Sequence, residues 1–455
     1  MEKYDLIILG GGPAGYLGAE RAAHAGYKTL LIEKENVGGV CLNEGCIPTK
    51  AMLYSAKIYD NAAHGDKYGV KADNITLDHP TVIARKDKVV KTLVGGVSAT
   101  LKSLGVTTVK ANGVIEGRTQ EGIVVSAGGE KYAGDRLLIA TGASPIVLPI
   151  KGLAEAIEKG FAVTNREVLQ LSSVPQRLAV IGGGVIGLEM ASYYKSAGSA
   201  VTVIEMLDKI AGPTDREISD ILLKNYKKKG IEFELSAKVT EVGDGFVVFE
   251  QGGTVKKIEA DKVLLSIGRK PNTSGIGLEN LGVEVERGAV KCGADGKTNM
   301  QNVWAAGDVN GRSMLAHTAY REAEVCINSM LGLKDHVRYE AIASVIYTNP
   351  EVASVGETEE TAKQKGMETI TSNISMRYAG RYVAENEGGD GICKVVAEKD
   401  SSRIIGVHMI ANYSSEIILS AVAMIENQML ISDVKQMVFP HPTIGEAIRE
   451  AIFKF

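Results

Sequence analysis

The chain has 455 residues, 52 of them glycine, with 45% hydrophobic and 23% charged residues. This is the balance of a soluble globular protein long enough for two to four domains. Lys and Arg number 51 against 55 Asp and Glu, a net charge of −4, which speaks against nucleic acid as a main partner. No run approaches the ~18 consecutive apolar residues of a membrane span, and the N-terminus shows no secretory h-region, so a cytoplasmic protein with no membrane partner is expected. Five cysteines are no disulfide framework.

Leu6–Leu9 is a short apolar run suited to a buried parallel strand. Gly10-Gly11-Gly12-Pro13-Ala14-Gly15 follows, then a helical stretch, then a second strand, Thr29–Ile32, closing at Glu33. The pattern returns 172 residues later: strand Leu178–Ile181, loop Gly182-Gly183-Gly184-Val185-Ile186-Gly187, a helix, and strand Val201–Ile204 closing at Glu205. In both copies the acid lies 23 residues after the first glycine. Two doubly wound α/β domains of the dinucleotide-binding kind are predicted. In each loop Gly10 or Gly182 permits the turn, Gly12 or Gly184 admits the pyrophosphate, and Gly15 or Gly187 lets helix and strand pack. Glu33 and Glu205 are placed to bind ribose hydroxyls. No arginine follows Glu205 within ten residues, so the second site reads as one for NAD rather than NADP.

Between these loops lies Gly38-Gly39-Val40-Cys41-Leu42-Asn43-Glu44-Gly45-Cys46-Ile47-Pro48-Thr49-Lys50. In a cytosolic chain such a pair is more often catalytic or metal-binding than structural. On a regular helix, Cα atoms five residues apart stand about 8.7 Å from each other, whereas a disulfide needs less than ~7 Å. Cys41 and Cys46 can therefore bridge only across a distorted turn, for which Gly45 and Pro48 are suited. Zinc would need two more ligands, and no second Cys or His pair has fitting spacing, so no metal is expected. Lys50 and Glu189 each lie on a helix that opens at one of these motifs. They read either as two surface charges or as an ion pair beside a cofactor.

The crossing into the second domain is placed at Pro145–Pro149. The domains are set at 1–145 and 146–268, with 269–336 completing the first and 337–455 forming an α+β domain. In the last part, Gly391–Val396 and Arg403–Met409 alternate around a turn as a hairpin, and Ser414–Gln428 has helical periodicity. His441 is held between Pro440 and Pro442. Thr443-Ile444-Gly445-Glu446 has the form of a capping box, so Glu446 reads either as a cap or as a group that polarises His441.

These motifs, in this order and over essentially the whole length, resemble the FAD-dependent pyridine nucleotide–disulfide oxidoreductases, and among them the dihydrolipoyl dehydrogenases. The resemblance implies FAD at the first glycine loop and NAD at the second. It implies further cofactor contacts at Gly113, Thr141-Gly142-Ala143, Asp308, Met314-Leu315-Ala316-His317, Val239 and Gly268, and it places Lys50 and Glu189 beside the flavin. It implies a redox-active Cys41–Cys46 pair, with His441 as base and Glu446 as its orienting acid, both supplied across a homodimer. The implied reaction is oxidation of dihydrolipoamide with reduction of NAD⁺. The implied partners are lipoyl domains of acyltransferases or of glycine-cleavage H-type proteins. Alternatives are a sister reductase of the glutathione or mercuric type, or a flavoprotein that mainly serves as a structural subunit. Against these stand the absence of any cysteine after Cys393 and the intact Cys, Lys and His–Glu set. Glu44 departs from the small apolar residue common between the cysteines, and Thr49 from the usual serine. A carboxylate there would disfavour thiolate and shift the redox potential.

Overall fold

The computed structural model covers residues 1–455. Its first sheet has seven strands. Glu2–Leu9 runs parallel to Thr29–Glu33 on one side and to Glu130–Ile139 on the other, and Thr107–Lys110 extends the parallel set beyond Thr29–Glu33. Leu6 to Leu9 are all buried, as are all five residues of Thr29–Glu33. Apolar runs of this kind suit strands covered on both faces. Val303–Ala305 returns from far along the chain to pair in parallel with Glu130–Ile139. The antiparallel strands Gly122–Ala127 and Gly113–Thr119 complete the sheet.

A second, five-stranded sheet has the order Glu232–Glu234, Ala200–Ile204, Arg177–Ile181, Lys262–Leu265 and Ala162–Val163, all parallel. A three-stranded antiparallel sheet, Ala237–Gly243, Phe246–Gln251 and Thr254–Glu259, packs beside it. The last part is a five-stranded antiparallel sheet in which the expected hairpin pairs Ile392–Glu398 with Ile404–Ala411. The helix Ser414–Glu426 covers that sheet. The architecture is two doubly wound α/β units followed by an α+β unit.

The glycine helices begin at Pro13 and Val185, directly after Gly12 and Gly184. The cysteine segment is broken in two: a short helix Gly39–Glu44 and an 18-residue helix Cys46–Ala63. The long helix packs against His79–Ser103 on one side and the second glycine helix, Val185–Ser196, on the other. This packing carries the cysteine turn to the seam between the two α/β units. No helix is long and apolar enough to cross a membrane.

Candidate active site

The two glycine loops are near copies. Gly10 and Gly182 have φ of 100° and 105°, and a Cβ on either would come within 2.3 or 2.5 Å of the carbonyl oxygen of Ala140 or Ser266. Gly15 and Gly187 seat their helices on the strands: a Cβ there would meet the Gly10 or Gly182 carbonyl oxygen at 1.8 or 2.2 Å. Glu33 accepts hydrogen bonds from the Gly11 and Glu35 amides at 2.6 and 2.7 Å. Glu205 repeats this with Gly183 and Leu207, again at 2.6 and 2.7 Å. Each carboxylate is thus held rigidly beside its loop with lone pairs left for a diol.

One cleft of ≈ 2370 Å³ runs along both loops, more than twice the ~1,000 Å³ of a large single-ligand pocket. Gly10, Gly12, Glu33, Cys41, Cys46, Lys50, Thr141, Gly142, Ala143, Gly182, Gly184, Glu189, Glu205, Val239, Gly268, Asp308 and Met314 to His317 all line it. Gly15 and Gly187 do not, in keeping with a packing role. Gly113 also stands apart from the lining. It opens its strand where a Cβ would come within 2.7 Å of Leu9, so its geometry explains close packing.

The residues fit two dinucleotides. Both loops leave their middle glycines, Gly12 and Gly184, open to an approaching phosphate. Deep in the cleft, burial pushes the Asp308 carboxyl up, partly offset by Arg269. The buried Arg269 Nε has no hydrogen-bond partner in the protein and stands 4.0 Å from Asp308. A buried unpaired donor is costly, and a polar ligand at the Asp308 segment would satisfy it.

The cysteines meet at the broken helix. A Cβ on Gly45 would lie 2.9 Å from the Val40 carbonyl oxygen, so only glycine lets the chain turn this tightly. Cys41 stays in the short helix, and Cys46 becomes the first residue of the long one. Both are half-buried free thiols, and a hydrogen bond from the Cys41 thiol would favour an ionised Cys46. That bond, outweighing burial and aided by Lys50, lowers the Cys46 thiol to about 7. The same bond and burial push Cys41 up. The positive end of the long helix also favours charge on Cys46.

One turn along this helix, Lys50 Nζ donates to both Glu189 carboxylate oxygens at 3.0 Å. Glu189 is 4% exposed, Lys50 32%. Tyr347, which the sequence reading did not single out, supports the pair twice. Its amide donates to Glu189 Oε1 at 3.0 Å, and its ring lies 4.3 Å from the Lys50 ammonium.

His441 and Glu446 form a dyad, with Nδ1 2.8 Å from Oε1. The capping box is half realised. The last helix begins at Glu446 itself, and Thr443 turns its hydroxyl to the Pro440 carbonyl. The Thr443 amide does donate to Glu446 Oε2 at 2.8 Å, the carboxylate half of the box. Burial raises the Glu446 carboxyl, but this amide and His441 outweigh it and hold the group below its ordinary range. The dyad does not line its own chain's cleft. His441 is 76% exposed, and Val438 beside it is 96% exposed.

Residues 4–323 match the family model described as pyridine nucleotide-disulphide oxidoreductase, and 342–452 match that family's dimerisation domain. The chain belongs to the pyridine nucleotide-disulphide oxidoreductases. It is 37% identical to a dihydrolipoyl dehydrogenase of Mycoplasma pneumoniae, covering 99% of this chain and 98% of that one. It is 38% identical to the mitochondrial dihydrolipoyl dehydrogenase of Pisum sativum, covering 99% and 91%. The solved structure of LpdA from Mycobacterium tuberculosis has a TM-score of 0.89 at 26% identity, over 100% and 99% of the two chains. The protein is an oxidoreductase that works with FAD and a pyridine nucleotide, and it carries the homodimer-forming domain of its family. No cluster of three or more His, Cys, Asp or Glu side chains is arranged to hold a metal ion.

Proposed function

We propose that the protein is a dihydrolipoyl dehydrogenase that uses NAD⁺ and accepts dihydrolipoyl groups carried on lipoyl domains of acyltransferase or glycine-cleavage H-type proteins. One observation carries the reading: the thiol pair and the Lys50–Glu189 pair line a single cleft with both glycine loops. In the oxidised enzyme the two sulfurs form a disulfide. His441 of the partner subunit, held by its Glu446, takes a proton from one substrate thiol. The resulting thiolate attacks Cys41, the Cys41–Cys46 bond breaks, and Cys46 leaves as thiolate. Loss of the second substrate proton lets the other sulfur attack the mixed disulfide, releasing the cyclic disulfide product and returning Cys41 as a thiol. Two electrons then reside on the cysteine pair. FAD bound at the first loop supplies a two-electron carrier to the pyridine nucleotide at the second. Lys50, fixed by Glu189 and Tyr347, keeps positive charge beside the place where Cys46 becomes an anion.

The preference for NAD⁺ is supported by what surrounds Glu205. A carboxylate at this position disfavours a 2′-phosphate. Lys209 is turned to the Thr214 carbonyl at 2.7 Å, and Arg216 is paired with Asp208 at 2.9 Å. Neither cation is free for a phosphate. A cytoplasmic setting, where thiols stay reduced, goes with this reading. The deciding experiment compares turnover of dihydrolipoamide with NAD⁺ against glutathione disulfide with NADPH. Activity confined to the second pair overturns the proposal.

A further inference from the structure

Glu44 puts a carboxylate between the two sulfurs, two residues from Cys46. It is not left to solvent, its side chain being 18% exposed. Two consecutive residues of the second α/β unit grip it. Arg166 pairs through Nε with the Glu44 carboxylate, and Asn165 Nδ2 donates to the Glu44 carbonyl at 2.8 Å. Both sit at the start of the short helix Asn165–Val168, fixed by a Thr164–Glu167 capping box. The hold extends further on each side. Arg166 Nη2 reaches both Glu35 oxygens at 3.1 and 2.9 Å, and Asn165 Oδ1 accepts from Arg269 at 3.2 Å.

A half-exposed arginine pair alone is worth little. Here the carbonyl that is held is the one just before the Gly45 turn, and the carboxylate that is neutralised belongs to the same residue. Other groups also face Cys46: Cys41 from the short helix, Lys50 on its own helix, and Glu189 from the second glycine helix. Arg269 faces it from the strand after the second sheet. The hydroxyls of Tyr16, Tyr320 and Tyr347 lie within electrostatic range of it. Among these Glu189 is already matched by Lys50. An unmatched Glu44 would add a negative charge two residues from a thiolate.

We infer that Asn165 and Arg166 form a positioning clamp on the cysteine turn, Asn165 fixing its backbone and Arg166 cancelling Glu44, so that Cys46 can carry negative charge in the reduced enzyme. The clamp rests on the reading of Cys41 and Cys46 as the redox pair. That reading is tested separately by turnover of the Cys41→Ser and Cys46→Ser variants, whereas the clamp is read on the thiols themselves.

The test alkylates the dithiothreitol-reduced, FAD-loaded protein with iodoacetamide across pH and follows each cysteine by peptide mass. Removing Arg166 strands Glu44, so Arg166→Gln moves the Cys46 profile to higher pH and slows its alkylation at pH 7 by about threefold, the scale of one partly screened charge. Glu44→Gln moves the profile the other way. The double variant Glu44→Gln/Arg166→Gln returns close to wild type, and Arg166→Lys, which keeps the charge, rescues most of the shift. An Arg166→Gln profile that overlays wild type overturns the clamp, whatever happens to thermal stability. So does a shift that Glu44→Gln fails to reverse.

Discussion

Lys50 Nζ stands 3.0 Å from both carboxylate oxygens of Glu189, 139 residues away, and Glu189 is nearly buried. Two helices from different α/β units are joined here, with the interface domain adding the Tyr347 amide and ring. Replacing Lys50 with Met leaves a buried carboxylate with one amide partner. A fully buried pair broken in this way costs roughly 3–5 kcal/mol. Lys50 is one-third exposed, so about 1–3 kcal/mol is expected, seen as a lower urea midpoint. Glu189→Gln keeps the shape and costs less. If both variants unfold at the wild-type midpoint, the pair is not joining the units.

The two thiols should titrate far apart. Cys46 is lowered to about 7 from an ordinary 9.0 and Cys41 is raised. A lowered acid is ionised above its own value. At pH 7 Cys46 should therefore carry far more thiolate than an ordinary thiol. Cys46 alkylation in the reduced protein should be half-maximal near pH 7 and fall tenfold per unit below it. In the Cys41→Ala variant, which has no donor to offer the Cys46 sulfur, that midpoint should move upward. A wild-type Cys46 midpoint near the ordinary thiol value counts against the shared hydrogen bond.

The exposed dyad makes a prediction about assembly. If His441 serves the partner's cysteines, a Cys46→Ser homodimer and a His441→Gln homodimer are both inactive. A mixed dimer of the two has one complete site. Random reassortment of equal amounts makes half the dimers mixed, each with half its sites intact, so roughly a quarter of wild-type turnover should return. No recovery after unfolding and co-refolding, with mixed dimers shown by tag capture, places the dyad and the cysteines in one chain.

What could be read from the sequence follows from distance along the chain. A glycine loop between two strands, with an acid at the second strand's end, is local, and both copies are found with matching hydrogen bonds. The break at Gly45 was legible because five-residue spacing on a regular helix cannot bring two sulfurs together. The partner of Glu44 was not legible, since Asn165 lies 121 residues on and reaches the turn only because the second sheet docks there. Tyr347 was hidden for the same reason, being brought in by a third unit. Only the carboxylate half of the capping box formed: Glu446 takes the Thr443 amide as the motif predicts, whereas the Thr443 hydroxyl turns to the Pro440 carbonyl because the short terminal helix starts at Glu446 itself.

Glu33 and Glu205 share one geometry at two loops, which allows a paired test. Each holds two amides through its carboxylate and offers the rest to a ribose diol. Charge-assisted hydrogen bonds of this kind contribute ~1.5–3 kcal/mol, so Glu205→Ala should raise the KM for NAD⁺ at least about tenfold. It should also narrow the gap to NADP⁺, because the carboxylate that repels a 2′-phosphate is gone. FAD content should stay at wild type. Glu33→Ala should do the reverse, weakening FAD retention on dialysis while the protein that keeps flavin holds its KM for NAD⁺. If Glu205→Ala loses flavin and Glu33→Ala loses NAD⁺ affinity, the assignment of the two loops must be exchanged.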